Sequence, residues 1–218
     1  MVASRLGDVL VHVWPGLSVN LNPVAIQRGD GSAAESHESP ARRARRVLAL
    51  ARWGHLPLVT CIDLPTRRTR EPLERPARLP SSTVVESDNC PSVSLDVLKR
   101  YQQVIFTKDH ADPLTNPKLD RMLTELPAER FVLFGGPLES SLRMLALGLL
   151  RRARSVAILL DACGVAGGAA ECDMTLRRLD VKGCTMLPSD VWIAEQLARA
   201  RGPQPRPART LVRRRSVA

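Results

Sequence analysis

The stretch FVLFGGPLESSLRMLALGLL, residues 131–150, concentrates the groups that could do chemistry. An apolar run ends at Gly135-Gly136-Pro137 and an amphipathic run starts at once, the pattern of a strand, a sharp turn and a helix. α/β proteins seat nucleophiles and anions on such turns, because a helix N-terminus offers unpaired N–H groups and a positive dipole end. Glu139, Ser140 and Ser141 stand at the head of this helix, with no cysteine among them. A serine hydroxyl is weakly acidic and attacks only when a strong base lies beside it. Lys108, which closes the apolar run VIFTK, could be that base in a Ser–Lys arrangement. It would have to be buried and free of a neighbouring carboxylate. Asp63 closes another apolar run, LVTCID, and is a second strand-ending group able to move a proton.

These residues need a scaffold that brings strand ends together. VLVHVW (9–14), LVTCID (58–63), VIFTK (104–108), RFVLF (130–134), SVAILLDA (155–162) and CTMLP (184–188) read as strands, short, apolar and rich in β-branched residues. Between them lie helical patterns. ARRARRVLALARW sets arginines against Val47, Leu48, Leu50 and Ala51, with Gly54 at its C-terminal cap. SLDVLKRYQ has Ser94 as a cap, and NPKLDRMLTEL has Pro117 in its first turn. The helix after Pro137 runs to about Arg152, CDMTLRRLDVKG ends at Gly183, and SDVWIAEQLARAR has Ser189 as its cap. Near-continuous apolar strands alternating with helices predict an α/β fold, three layers α/β/α around a six-stranded, mainly parallel, Rossmann-like sheet. In such sheets the crevice lies at the carboxyl ends of the strands. That points to the residues just after His12, Asp63, Lys108, Gly135 and Asp161.

Residues 1–201 form one domain on this reading, with an irregular loop at 64–92 rich in Pro, Arg and Ser and a basic, disordered tail at 202–218. No apolar run approaches a membrane span, and the N-terminus lacks a basic region followed by an apolar one. The expected location is the cytoplasm. Five scattered cysteines without a CxxC pair read as buried small hydrophobes, and the four histidines form no cluster of metal-ligand spacing. No metal and no cofactor is expected. Cys163, after Asp161-Ala162, could reach the crevice, but no motif places a base beside it. A net charge of +10 invites a nucleic-acid reading, concentrated in RRARR (42–46), RRTR (67–70), RRAR (151–154) and RRR (213–215). Aromatics are only 3%, too few for the stacking platform of a single-strand binder. Nucleic acid is therefore not the expected partner, and a basic nucleic-acid-associated protein remains the alternative from another class.

Three segments in order resemble the isochorismatase-like cysteine hydrolases, which include nicotinamidases. TKDHADPLTNPKLDRML is similar to the family's lysine segment, with Lys108 in place and Leu114 where a Phe is usual. LFGGPLESSLRMLALGLL resembles the nucleophile turn, Gly-x-x-Thr-x-x-Cys. SVAILLDACGVAGGAAECDMTLRRLDVKGCTML resembles the strand, loop and helix that follow. The likeness covers residues 104–193; the N-terminal half matches by architecture alone. It implies a cysteine nucleophile, a catalytic Asp and a Lys. It also implies a cis peptide before the nucleophile that aims backbone N–H groups at an oxyanion.

Carried over position by position, the resemblance puts Ser141 where the cysteine belongs and His12 where the Asp belongs, with Asp63 as the alternative acid. Lys108 is retained. Gly136, Pro137 and Leu138 form the oxyanion turn, with the cis bond at Gly136–Pro137. The expectation is an impaired hydrolase that binds a small amide-like ligand as a homo-oligomer. The alternative is an active C–N or ester hydrolase using Ser141 with Lys108 and His12.

Overall fold

The computed structural model describes residues 6–14, 22–23, 38–63, 84–86, 103–108 and 110–201. The expected helix at 94–102, the cap Ser94, His37, Cys90 and the tail lie outside them. The six expected strands all form: β1 (Leu6–Val13), β3 (Leu58–Asp63), β5 (Gln103–Lys108), β6 (Ala128–Pro137), β7 (Val156–Val165) and β8 (Thr185–Leu187). Every pairing among them is parallel, in the order β8-β7-β6-β1-β3-β5. Two further short strands join the sheet, one in the segment read as an irregular loop and one where no element was expected. β4 (Val84–Glu86) extends it in parallel beyond β5, and β2 (Asn22–Pro23) pairs antiparallel with the end of β7.

Local chemistry sets the helix boundaries. α1 (Pro40–Trp53) starts with Pro at N1 and Ser39 accepting from the Arg42 N–H, and it buries Ala44, Val47, Leu48 and Ala51. Gly54 closes it by donating to the Leu50 carbonyl, while the left-handed conformation falls on His55 (φ 51°). α2 (Pro117–Glu125) is capped by the Asn116 side chain, which accepts from the N–H groups of Lys118 and Leu119. α3 (Arg143–Arg151), α4 (Ala169–Val181) and α5 (Ser189–Arg201) are the other α-helices among the described residues.

The helices lie in two layers, as right-handed crossovers require when strand order runs outward in both directions from the sheet centre. α1 and α5 share one face, joined by Arg46–Asp190 and by Asp161, which bonds to Arg43 of α1 and Ser189 of α5. On the other face Arg152, just past α3, pairs with Asp120 of α2. Between the layers Phe106, Phe131, Leu133 and Phe134 are fully buried. No helix among the described residues is long and apolar enough to cross a membrane.

A polar cluster around Asp8 sits inside this core. Asp8 of β1 accepts from Arg130 of β6 through both Nε and Nη2, and from Trp192 and Gln196 of α5. A single buried carboxylate thus fastens the last helix to the two central strands.

Candidate active-site crevice

The strand order reverses between β1 and β6, so the crevice opens at their carboxyl ends and beside those of β3 and β5. Asp63 and Lys108 are register partners at the ends of β3 and β5, and their side chains form an ion pair. The lysine is buried at 4% exposure, while the Asp63 side chain remains 46% exposed. The two strand-ending charges singled out in the sequence are thus brought together.

His12 is not brought to them. In the pairing of β1 with β3, Val13 lies beside Cys61 and His12 beside Thr60. Side chains alternate across a sheet, so Val13, Cys61, Asp63 and Lys108 share one face while His12 points to the other. His12 shares that second face with Asp8, which contacts α5. Its imidazole stacks on Phe134 (4.9 Å between centroids, 18°) and meets Trp14 edge-on (5.6 Å, 82°). Nδ1 is buried without a partner, and burial pushes the imidazole pKa down to about 4, so the ring is neutral at physiological pH.

The turn after β6 is tightly built. Gly135 adopts φ +107°, and a Cβ there would fall 2.3 Å from the Val13 carbonyl oxygen and 2.8 Å from His12 Cδ2. Only glycine fits this approach of β6 to β1. The expected cis bond is absent: Gly136–Pro137 is trans, as are all peptide bonds among the described residues. The bend is made instead by the positive φ of Gly135 and by register shifts of β6 against β7 on both sides of it. A wide π-turn at Leu138–Leu142 then leads into α3, with the Arg143 N–H shared between the carbonyls of Leu138 and Ser140.

Ser141 is 4% exposed, and no hydrogen bond joins its hydroxyl to Lys108 or His12. Its neighbour Glu139 holds the turn to the loop after β7 by accepting from the N–H groups of Ala166 and Gly167 (3.3 and 3.1 Å). Sequence reasoning missed this anchor. The signal was an acid at the turn head and a Gly-rich loop lined with free N–H groups. Asp161 holds the start of α5, accepting from Ser189 N–H and Oγ (2.7 and 2.8 Å). Leu114 lies against α3 beside Gly148, where an added Cβ would come within 2.2 Å of its Cδ1.

None of the described cysteines offers a thiolate. Cys61, Cys163, Cys172 and Cys184 are free and buried. Burial pushes Cys61 and Cys184 up to about 12, and Cys163, which donates to the Leu159 carbonyl, higher still. Among the described residues no group of three His, Cys, Asp or Glu side chains is placed to hold a metal ion.

No family model and no curated protein sequence matches the chain. Solved structures do. The YcaC gene product of Escherichia coli, an octameric hydrolase of unknown specificity, is similar at a TM-score of 0.59 and 13% identity, over 88% of this chain and 81% of that one. N-carbamoylsarcosine amidase from Thermoplasma acidophilum is similar at 0.51 and 20%, over 85% and 98%. MAR1 ribonuclease from Caenorhabditis elegans is similar at 0.52 and 12%, over 87% and 80%. The chain has the fold of the isochorismatase-like hydrolases. At these identities the likeness defines the architecture, and the site must be argued from its own residues.

Proposed function

We propose that the protein binds a small ligand carrying a carbonyl or carboxylate group in this crevice and does not hydrolyse it. The observation that carries this reading is the separation of the would-be catalytic groups. Lys108 is engaged by Asp63, His12 lies on the opposite face, and the Ser141 hydroxyl is hydrogen-bonded to neither. A serine nucleophile needs a base within hydrogen-bond reach, and a lysine acting as that base must be free of a carboxylate. Neither condition holds. What supports binding is a buried cation, Lys108, and a buried serine hydroxyl, Ser141, at the head of the turn into α3. Assembly into a homo-oligomer belongs to the same proposal and rests on the octameric YcaC neighbour.

Thermal unfolding with paired amides and carboxylates, nicotinamide and nicotinate among them, tests the binding half. A ligand at about ten times its Kd adds about 1.4 kcal/mol, which raises Tm by roughly 3–5 °C in a chain of this size. The expected result is such a rise in the wild type and none in Lys108→Met, each measured against its own ligand-free Tm. An equal rise in both proteins would place the ligand elsewhere, and no rise with any member of the panel would count against a binding role.

A further inference from the structure

We infer that the outward face of α1 is a docking surface for single-stranded nucleic acid, separate from the crevice. The helix carries five arginines and no acidic residue over its 14 residues. Arg42, Arg45, Arg46, Ala49, Arg52 and Trp53 are exposed and follow the helical spacing of one face. Among the described residues Glu38 pairs with Arg42, Arg43 and Arg46, and Asp190 of α5 pairs with Arg46 as well. Arg43 is turned inward to Asp161, but Arg45 and Arg52 have no carboxylate partner among the described residues. Arginines in the first turn also oppose the helix dipole, so the pattern does not serve the stability of the helix.

The exposed aromatic selects the partner. Trp53 is 62% exposed on the arginine face, at the end of a stripe spanning about 16 Å. A row of cations with an aromatic platform fits a flexible phosphate backbone whose bases are free to stack. A membrane surface fits less well. An interfacial helix inserts its apolar face, and here Val47, Leu48 and Ala51 are packed into the core. The scarcity of aromatics in the sequence argued against a stacking surface, and the structure sets one of the three tryptophans where a base could reach it.

The test uses the full chain and a fluorescein-labelled oligouridylate, with anisotropy read from about 50 to about 300 mM KCl. Each phosphate contact adds roughly 0.7 to the salt slope for a single strand, so the double change Arg45→Gln/Arg52→Gln should reduce the slope by about 1.4 and weaken binding about tenfold at low salt. Trp53→Ala should weaken binding at least about fivefold and leave the slope unchanged. All three side chains are exposed, so the melting temperature should stay where it is. Several results would overturn the inference. One is no binding by the wild type, and another is binding indifferent to the α1 changes. It would also fall if binding were lost only when Arg213, Arg214 and Arg215 become Gln, or if anionic phosphatidylserine vesicles were bound and the oligonucleotide was not.

Discussion

Asp8→Ala is expected to cost about 3–5 kcal/mol of folding stability, because it strands several buried donors at once. Asp8 is 2% exposed and accepts from Arg130 through two nitrogens (3.1 and 2.7 Å), from Trp192 Nε1 (2.8 Å) and from Gln196 Nε2 (2.7 Å). Burial alone would raise its pKa. The hydrogen bonds from Arg130 and Trp192, with the charges of Arg130 and Arg199, outweigh burial and hold it below the usual carboxylate range. Removing the carboxylate leaves Arg130 with Glu195 alone among acids and leaves the indole N–H with nothing to donate to. Asp8→Asn keeps the shape and part of the hydrogen bonding, so it should cost less. Urea unfolding at neutral pH measures both, and a loss below about 1 kcal/mol for Asp8→Ala would show that the cluster is not the fastening for α5 described above. In acid, the contribution of Asp8 is present above the ordinary carboxylate pKa and lost as pH falls through its lowered folded value.

The second large effect lies at higher pH and has a different owner. His12 titrates near 6.5 in the unfolded chain and near 4 in the folded one. Between those values the unfolded state binds a proton that the folded state refuses, so stability falls as pH is lowered. The gap corresponds to about 3 kcal/mol lost between pH 6.5 and pH 4, with nothing lost above that window. His12→Phe should abolish this slope. At pH 7.5 it should be neutral or mildly stabilising, since it removes an unpartnered buried nitrogen while keeping a ring to stack on Phe134. Denaturant titrations of both proteins at stepped pH give the answer. If the two curves ran parallel from pH 7 to pH 4, the imidazole would not be the buried neutral group the structure shows.

The sheet was legible because its strands are apolar, β-branched runs separated by helices of clear periodicity. Its finer parts were not. β2 and β4 span two and three residues, too few to carry a pattern. β6 and β7 each run three residues past the expected ends, since Gly135-Gly136-Pro137 and Cys163-Gly164-Val165 look like turn sequence until they pair with one another. The meeting of Asp63 and Lys108 was half visible, because both close apolar runs that became adjacent strands. The side of the sheet on which His12 falls was hidden. Alternation fixes it only once the register of β1 against β3 is known, and a one-residue slip would have turned it toward Lys108. The exposure of Trp53 was hidden for a related reason: a tryptophan in an amphipathic helix is ordinarily read as core.

The loss of hydrolytic chemistry is the central claim, and turnover tests it most directly. Wild type and Ser141→Ala would be compared over a panel of amides and esters, nicotinamide included, with release of the amine or alcohol followed to long times. The account predicts no turnover above buffer in either protein, because among the described residues no base is hydrogen-bonded to Ser141 and no cysteine presents a thiolate. Turnover by the wild type that disappears in Ser141→Ala would contradict it, and would make Ser141 the nucleophile of a working hydrolase.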